Sequence, residues 1–452
     1  MIVAVIDIGK TNAKVALVDL TTLSEIALRR VANAPVRQAP YPHHDVEALW
    51  TFILDSLADL NRKRRIGAIS ITTHGATGAL VDGSGELALP VLDYEFDGPD
   101  QLAADYDAVR PPFAETGTPR LPIGLNLGAQ FFWQQKRFPA EFARATAMLM
   151  YPQYWALRLT GVAANEVTSL GCHTDLWNPW TSDYSSLVDR MGWRRLMAPV
   201  RPAKDRLGPI LPELARRTGL DPQTPVFCGL HDSNASLLPH LLSDRPPFSV
   251  VSTGTWVVSM AVGGRKVELG PARDTLVNVN ALGDPVPSAR FMGGREFSLL
   301  TKDQPQEWID DDVAAVLARQ VQLLPSTQQG SGPFPHRAAQ WHNADDLSSG
   351  QRFAAISFYL ALMTATCLEL IGGDGPTTVE GPFAQNPLFI RMLAAAAERP
   401  VIASETSTGT SIGAALLASD GRPAMSKGER TEPPTDPAWG DYAMAWQMAV
   451  QT

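Results

Sequence analysis

Cysteine is scarce in this chain: Cys172, Cys228 and Cys367 are its three, far apart and without CxxC spacing. An odd, scattered set suggests neither a disulfide framework nor a zinc site, and a reducing, cytoplasmic setting is expected. Positive charge is also short, because 38 lysines and arginines stand against 47 aspartates and glutamates and leave a net charge of −9. The basic run Arg62-Lys63-Arg64-Arg65 is too brief to attract a phosphate backbone, so nucleic acid is not an expected partner. No apolar run reaches the roughly 18 residues of a membrane span, and neither insertion nor export is expected. The GxxxxGK[ST] phosphate loop is missing as well. What is there, 452 residues with 45% hydrophobic and 19% charged, suffices for sizeable cores in two or three domains and argues against disorder.

The chain opens on the apolar run Ile2-Val3-Ala4-Val5-Ile6, turns through Asp7-Ile8-Gly9-Lys10-Thr11-Asn12, and is apolar again from Ala13 to Asp19. Two strands joined by a polar loop are expected. Gly9 lets backbone approach a ligand, Thr11 and Asn12 add donors, and Lys10 and Lys14 add positive charge where phosphate oxygens can sit. Asp7, at the strand's end, can hold Mg²⁺ through water. An ordinary hairpin with a polar tip fits this loop equally well.

Asp45 can cap a helix whose apolar positions Val46, Leu49, Ile53, Leu57 and Leu60 recur at helical spacing, with the basic run at the negative end of its dipole. Ala68 to Thr72 follows as a strand, and Thr73-His74-Gly75-Ala76-Thr77-Gly78 leaves its carboxyl end, where α/β folds put ligand contacts. His74 and Thr77 can bond sugar hydroxyls there, or His74 can make a local structural contact. Asp93-Tyr94-Glu95 and Gly128 to Trp133 set aromatics beside amides and acids, which suits a polyol. Phe131, Phe132 and Trp133 fit a core equally. Tyr151 to Thr160 reads as a helix closed by Gly161.

Midway, Val226-Phe227-Cys228 leads as a strand into Gly229-Leu230-His231-Asp232, with a helix expected from Ala235 to Leu242. A carboxylate at such a turn can be a general base, or simply the helix's N-cap. Ser243-Asp244-Arg245-Pro246-Pro247 marks a domain boundary, dividing the chain into 1–242 and 248–452. Beyond it the opening repeats in outline: apolar Phe248 to Val251, the small-residue turn Ser252-Thr253-Gly254-Thr255, then apolar Trp256 to Met260. Two such units suggest a duplication in which two loops face each other across a cleft. Later, Asn386 with Pro387 forms a good helix start after Gly381-Pro382-Phe383-Ala384-Gln385. Gly409 to Ala415 begins a small-faced helix suited to a flat partner, a nucleotide base or another helix.

Together these stretches resemble the FGGY family of carbohydrate kinases, within the actin/hexokinase/Hsp70 superfamily, over nearly the whole chain. Asp7-x-Gly9-x-Thr11 with Lys14 is similar to the first phosphate motif, and Ser252-Thr253-Gly254-Thr255-Trp256 to the second. Gly229-x-His231-Asp232 is similar to the segment with the catalytic aspartate, and Gly381-x-x-Ala384-x-Asn386-Pro387-Leu388 to the adenosine motif. Gly409-x-x-x-Gly413-Ala414-Ala415 is similar to the adjoining helix, while Thr72 to Asp82 looks most like L-fuculokinases and rhamnulokinases. The chain departs from those kinases at Thr77, where an acid is usual, at Lys10, and at Pro382 and Phe383, where glycines are usual.

The resemblance implies an α/β fold of two duplicated actin/hexokinase-like (ribonuclease H-like) domains with a cleft between them. It implies ATP and Mg²⁺ as cofactors and a small-molecule sugar or polyol of L-fuculose or L-rhamnulose type as partner, with a homodimer left open. Asp232 would be the base, Asp7 the metal ligand, and His74, Gly75, Thr77 and His231 the acceptor contacts beside Asp232. Gly9, Lys10, Thr11, Asn12, Lys14, Thr253, Gly254, Thr255, Gly381, Ala384 and Asn386 would hold the nucleotide. Closure of the cleft would exclude water, a competing phosphoryl acceptor. Two rivals share the fold: a non-catalytic sugar or nucleotide sensor, and an ATPase driving a protein partner.

Overall fold

The computed structural model describes residues 1–404, 409–419, 421 and 428–451. The chain folds into two compact units. The first comprises Met1–Ser243 and Val277–Pro285, joined by the helix Gly409–Leu416, and the second takes the chain between and after these segments. A division into consecutive blocks, 1–242 and 248–452, does not include these returns. The physical reason for the second return is visible in the packing. Ile412, Ala414 and Ala415 share a buried cluster with Ala235 and Leu238, and the Ser70 hydroxyl donates to the Ala414 carbonyl at 2.6 Å. The small-faced helix thus has another helix, Asp232–Ser243, as its partner.

In the first unit the sheet runs in the spatial order Ser24–Ala32, Asn12–Asp19, Ile2–Ile8, Ala68–Thr73, Pro225–Phe227, Arg206–Pro209, with Leu230–His231 also paired to Ala68–Thr73. The opening strands form an antiparallel hairpin, as their apolar runs require. The helix Val46–Lys63 starts where Asp45 accepts the Ala48 N–H at 3.0 Å and buries Val46, Leu49, Ile53, Leu57 and Leu60 against that sheet. A second cluster gathers on the helix Leu127–Arg137, and in it Phe131, Phe132 and Trp133 are core residues.

The second unit repeats the arrangement. Within this unit the sheet runs in the spatial order Val257–Val262, Phe248–Thr253, Thr377–Glu380, Val401–Ala403, Glu429–Thr431. Phe248–Thr253 pairs antiparallel with Val257–Val262 and parallel with Thr377–Glu380, as Ile2–Ile8 does with Asn12–Asp19 and Ala68–Thr73. Among the described residues, Ser349–Leu370 is the helix long and apolar enough to cross a membrane, yet 83% of its apolar window is buried in this unit's core. Its apolar character is explained by packing against Pro387–Ala397 and by the core shared with Pro437–Ala449.

Candidate active site

Strand register sets the site in the first unit. Ile2–Ile8 runs parallel to Ala68–Thr73 with Asp7 opposite Thr72. On the other side Leu230–His231 runs parallel to the same strand with His231 opposite Thr73. Asp7, the His74 loop and Asp232 therefore leave the sheet together, at the carboxyl ends of three parallel strands. The close fit is measured at two glycines. A Cβ on Gly75 would lie 2.9 Å from His231 Nε2 and 3.1 Å from Cys172 Sγ. Gly229, at φ +82°, would press a Cβ to 2.5 Å from the Ile71 carbonyl oxygen, so only glycine lets the chain bend into His231-Asp232 here.

Asp232 is the first residue of its helix. Its Oδ1 accepts the Ser233 N–H at 2.6 Å and lies 3.1 Å from His231 Nε2, and the side chain keeps about a third of its surface open. His231 is buried, and its N–H donates to Thr168 Oγ1 at 2.9 Å, while that hydroxyl donates to Glu166 Oε2 at 2.5 Å. Burial pushes Glu166 up to about 7 against the pull of the Thr168 hydrogen bonds. Burial alone would depress His231, but the neighbouring Cys172 sulfur and Asp232 carboxylate prevail and raise it, favouring the imidazolium.

Asp7 is raised to about 6, first by burial, with Lys14 opposing and the Asp232 charge adding to the rise. Lys14 lies 3.5 Å from Asp7 Oδ2 and 3.0 Å from Glu25 Oε1. In the turn itself the Gly9 N–H donates to the Asn12 carbonyl at 2.9 Å, and Asn33 Nδ2 donates to the Gly9 carbonyl at 2.7 Å. Lys10 pairs with Asp93, sits 3.4 Å from Glu95 Oε2 and covers the Tyr94 ring at 4.6 Å.

His74 donates from Nδ1 to the Gly75 carbonyl at 2.9 Å, with Thr77 Oγ1 at 3.4 Å from the same nitrogen. With Nδ1 the donor, Nε2 is an acceptor, buried and without a partner among the described residues. Burial lowers the pKa of His74, which keeps it neutral. Gln130 braces the loop by donating from Nε2 to the Ala76 carbonyl at 2.6 Å.

In the second unit the Gly254 N–H donates to the Trp256 carbonyl at 2.9 Å, closing a turn one residue shorter than that at Gly9. Thr253 Oγ1 donates to the Glu380 carbonyl at 2.5 Å and accepts the Phe383 N–H at 3.1 Å, tying this turn to Gly381-Pro382-Phe383. Beside it lies a cavity of about 800 Å³ whose wall includes Thr255, Arg295, Trp308, Phe383, Gln385 and Asn386. Gly254 also lines it, whereas Thr253, Gly381 and Ala384 are not part of its lining. Phe383 is buried, its ring 5.5 Å from Phe297 and 5.1 Å from Phe389, so it forms wall rather than plug. Asn386 caps the helix Pro387–Ala397, accepting the Leu388 and Phe389 N–H groups at 3.1 and 3.2 Å.

Known proteins share this layout. The N-terminal domain of the FGGY family of carbohydrate kinases matches residues 2–239, and the carbohydrate kinase FGGY C-terminal domain matches residues 245–427. The chain belongs to the FGGY family. A carbohydrate kinase of known structure from Novosphingobium aromaticivorans is 38% identical, with a TM-score of 0.91 over 99% of this chain and 98% of that one. Plasmodium falciparum glycerol kinase with ADP shares the fold at a TM-score of 0.82 and 14% identity, covering 100% of this chain and 97% of that one. An L-fuculokinase from Salmonella typhi is 24% identical over 58% of this chain and 57% of its own length. This FGGY chain thus spans little more than half the length of the curated relatives it matches.

Several contacts of the site carry no sequence signal. Asp93 and Glu95 meet Lys10 across more than eighty positions, and Cys172 reaches His231 from another segment. Trp308 comes from a polar stretch without helical or strand periodicity, and only the folded chain brings it to the cavity.

Proposed function

We propose that this chain transfers the γ-phosphoryl group of ATP to a hydroxyl of an open-chain ketose or related polyol. The observation that carries the reading is the shared level of Asp7, the His74 loop and Asp232 at three parallel strand ends. Asp232 takes the proton of the attacking hydroxyl as its oxygen bonds to the γ-phosphorus and the bond to the β-phosphate oxygen breaks, releasing ADP. His74 Nε2 and Thr77 Oγ1 bind acceptor hydroxyls, and His231 holds the Asp232 carboxylate in place. The amides of Thr11 and Asn12 in the first unit and of Thr255 in the second carry phosphate charge.

No group of three or more His, Cys, Asp or Glu side chains among the described residues forms a cage for a metal ion. Mg²⁺ fits a single carboxylate with waters and phosphate oxygens, and the half-buried Asp7 would be that ligand. The metal would offset charge on the phosphates. The cavity near Trp308 and Phe383 suits a flat base stacked on aromatic faces.

The acceptor is an L-fuculose or L-rhamnulose type ketose on the relatives' names, although Thr77 carries no charge to grip it. A coupled ADP assay over L-fuculose, L-rhamnulose, L-xylulose and glycerol tests the reading. Sugar-dependent ADP release is expected, while sugar binding without turnover would favour a sensor.

A further inference from the structure

We propose that Lys10, although it stands in the phosphate-type turn, serves the acceptor as a positioning residue, clamping Asp93-Tyr94-Glu95 against the His74 loop. The proposal rests on the kinase reading for its acceptor, but its geometry is independent of turnover. An ammonium has three donors. Here it is bonded to Asp93 Oδ1, lies 3.4 Å from Glu95 Oε2 and faces the Tyr94 ring at 4.6 Å. One cation against two carboxylates leaves a net negative charge, which repels a phosphate oxygen rather than attracting it.

Burial points the same way. The Asp93 side chain is 6% exposed and that of Lys10 15%. A pair so removed from water gains little stability over an apolar contact, so its geometry is the better reason for its presence. The held segment continues to the acceptor loop: the Tyr94 ring meets His74 edge-on at 5.5 Å, and His74 in turn meets Gly75 and Thr77. Glu95 is 59% exposed and Tyr94 half-buried, so both can face a polyol's hydroxyls and C–H surface. One lysine thus links the turn after the first strand to the residues around the sugar, and its loss loosens the acceptor's fit without removing a phosphate contact.

The test uses the full chain with L-fuculose, L-rhamnulose, L-xylulose and glycerol, reading sugar affinity by calorimetry and both KM values by coupled assay. Lys10→Met is expected to weaken sugar binding and raise sugar KM about tenfold, with ATP KM within about twofold of wild type. Lys10→Arg restores most of the sugar affinity. Lys10→Met with Asp93→Asn leaves no buried carboxylate unpaired at 93, so it melts like wild type and keeps the sugar defect. A raised ATP KM with unchanged sugar affinity would overturn the proposal and return Lys10 to the phosphates. Unchanged values for both would reduce the clamp to a passive pair. Sugar binding without turnover, lost in Lys10→Met, would sink the kinase reading and keep the clamp, whereas no sugar binding in wild type overturns both.

Discussion

His231 Nε2 lies 3.1 Å from Asp232 Oδ1, and the imidazole is buried where its charged form is favoured. A cation fixed beside the acid holds it in one rotamer. His231→Gln keeps a donor but loses the charge, and kcat is expected to fall about tenfold or more with sugar KM little changed. A raised sugar KM at unchanged kcat would instead make His231 a direct sugar contact.

Asp7 couples stability to pH in the opposite sense from an ordinary surface carboxylate. Its folded pKa, about 6, lies above the unfolded value, so the folded state binds the proton more tightly. Stability is therefore fully present below about pH 4 and falls as pH rises to about 6, by up to about 3 kcal/mol from this group. Asp7→Asn removes that loss. Urea melts at pH 4.5 and 7 are expected to show the variant gaining stability over wild type at the higher pH, while phosphoryl transfer drops at least about a hundredfold. A variant equally active, or less stable at pH 7, would remove Asp7 from the account.

Trp308 lines the cavity of the second unit. Stacking on such a face contributes about 0.5–1.5 kcal/mol, so Trp308→Ala is expected to raise ATP KM roughly two- to tenfold. Sugar affinity measured by calorimetry stays at the wild-type value. Equal effects on both substrates would argue that Trp308 acts through the fold.

Local rules carried much of this structure. Asp45 and the spacing from Val46 to Leu60 marked a helix because capping and one apolar face are properties of neighbouring residues. The hairpins after Ile2 and Phe248 were legible for the same reason, and their likeness exposed the duplication. Asp232 was not decided by its own surroundings, since an acid before a helix fits a cap as well as a base. Register decided its company: Thr72 and Thr73 pair with Asp7 and Ile8 on one side and with Leu230 and His231 on the other. The partners of Lys10 were invisible for the complementary reason, because nothing near residue 10 specifies a carboxylate at 93. The helix from Gly409 had two partners open to it, and the buried Ala235 and Leu238 answered with a helix.

The central claim is that Asp232 removes the acceptor's proton. Asp232→Asn keeps the side chain's shape and removes the base, so sugar-dependent ADP release, measured with the sugar that wild type turns over fastest, tests it most directly. The account predicts a fall of at least about a hundredfold in kcat with sugar binding retained by calorimetry. ADP release near the wild-type rate would contradict it.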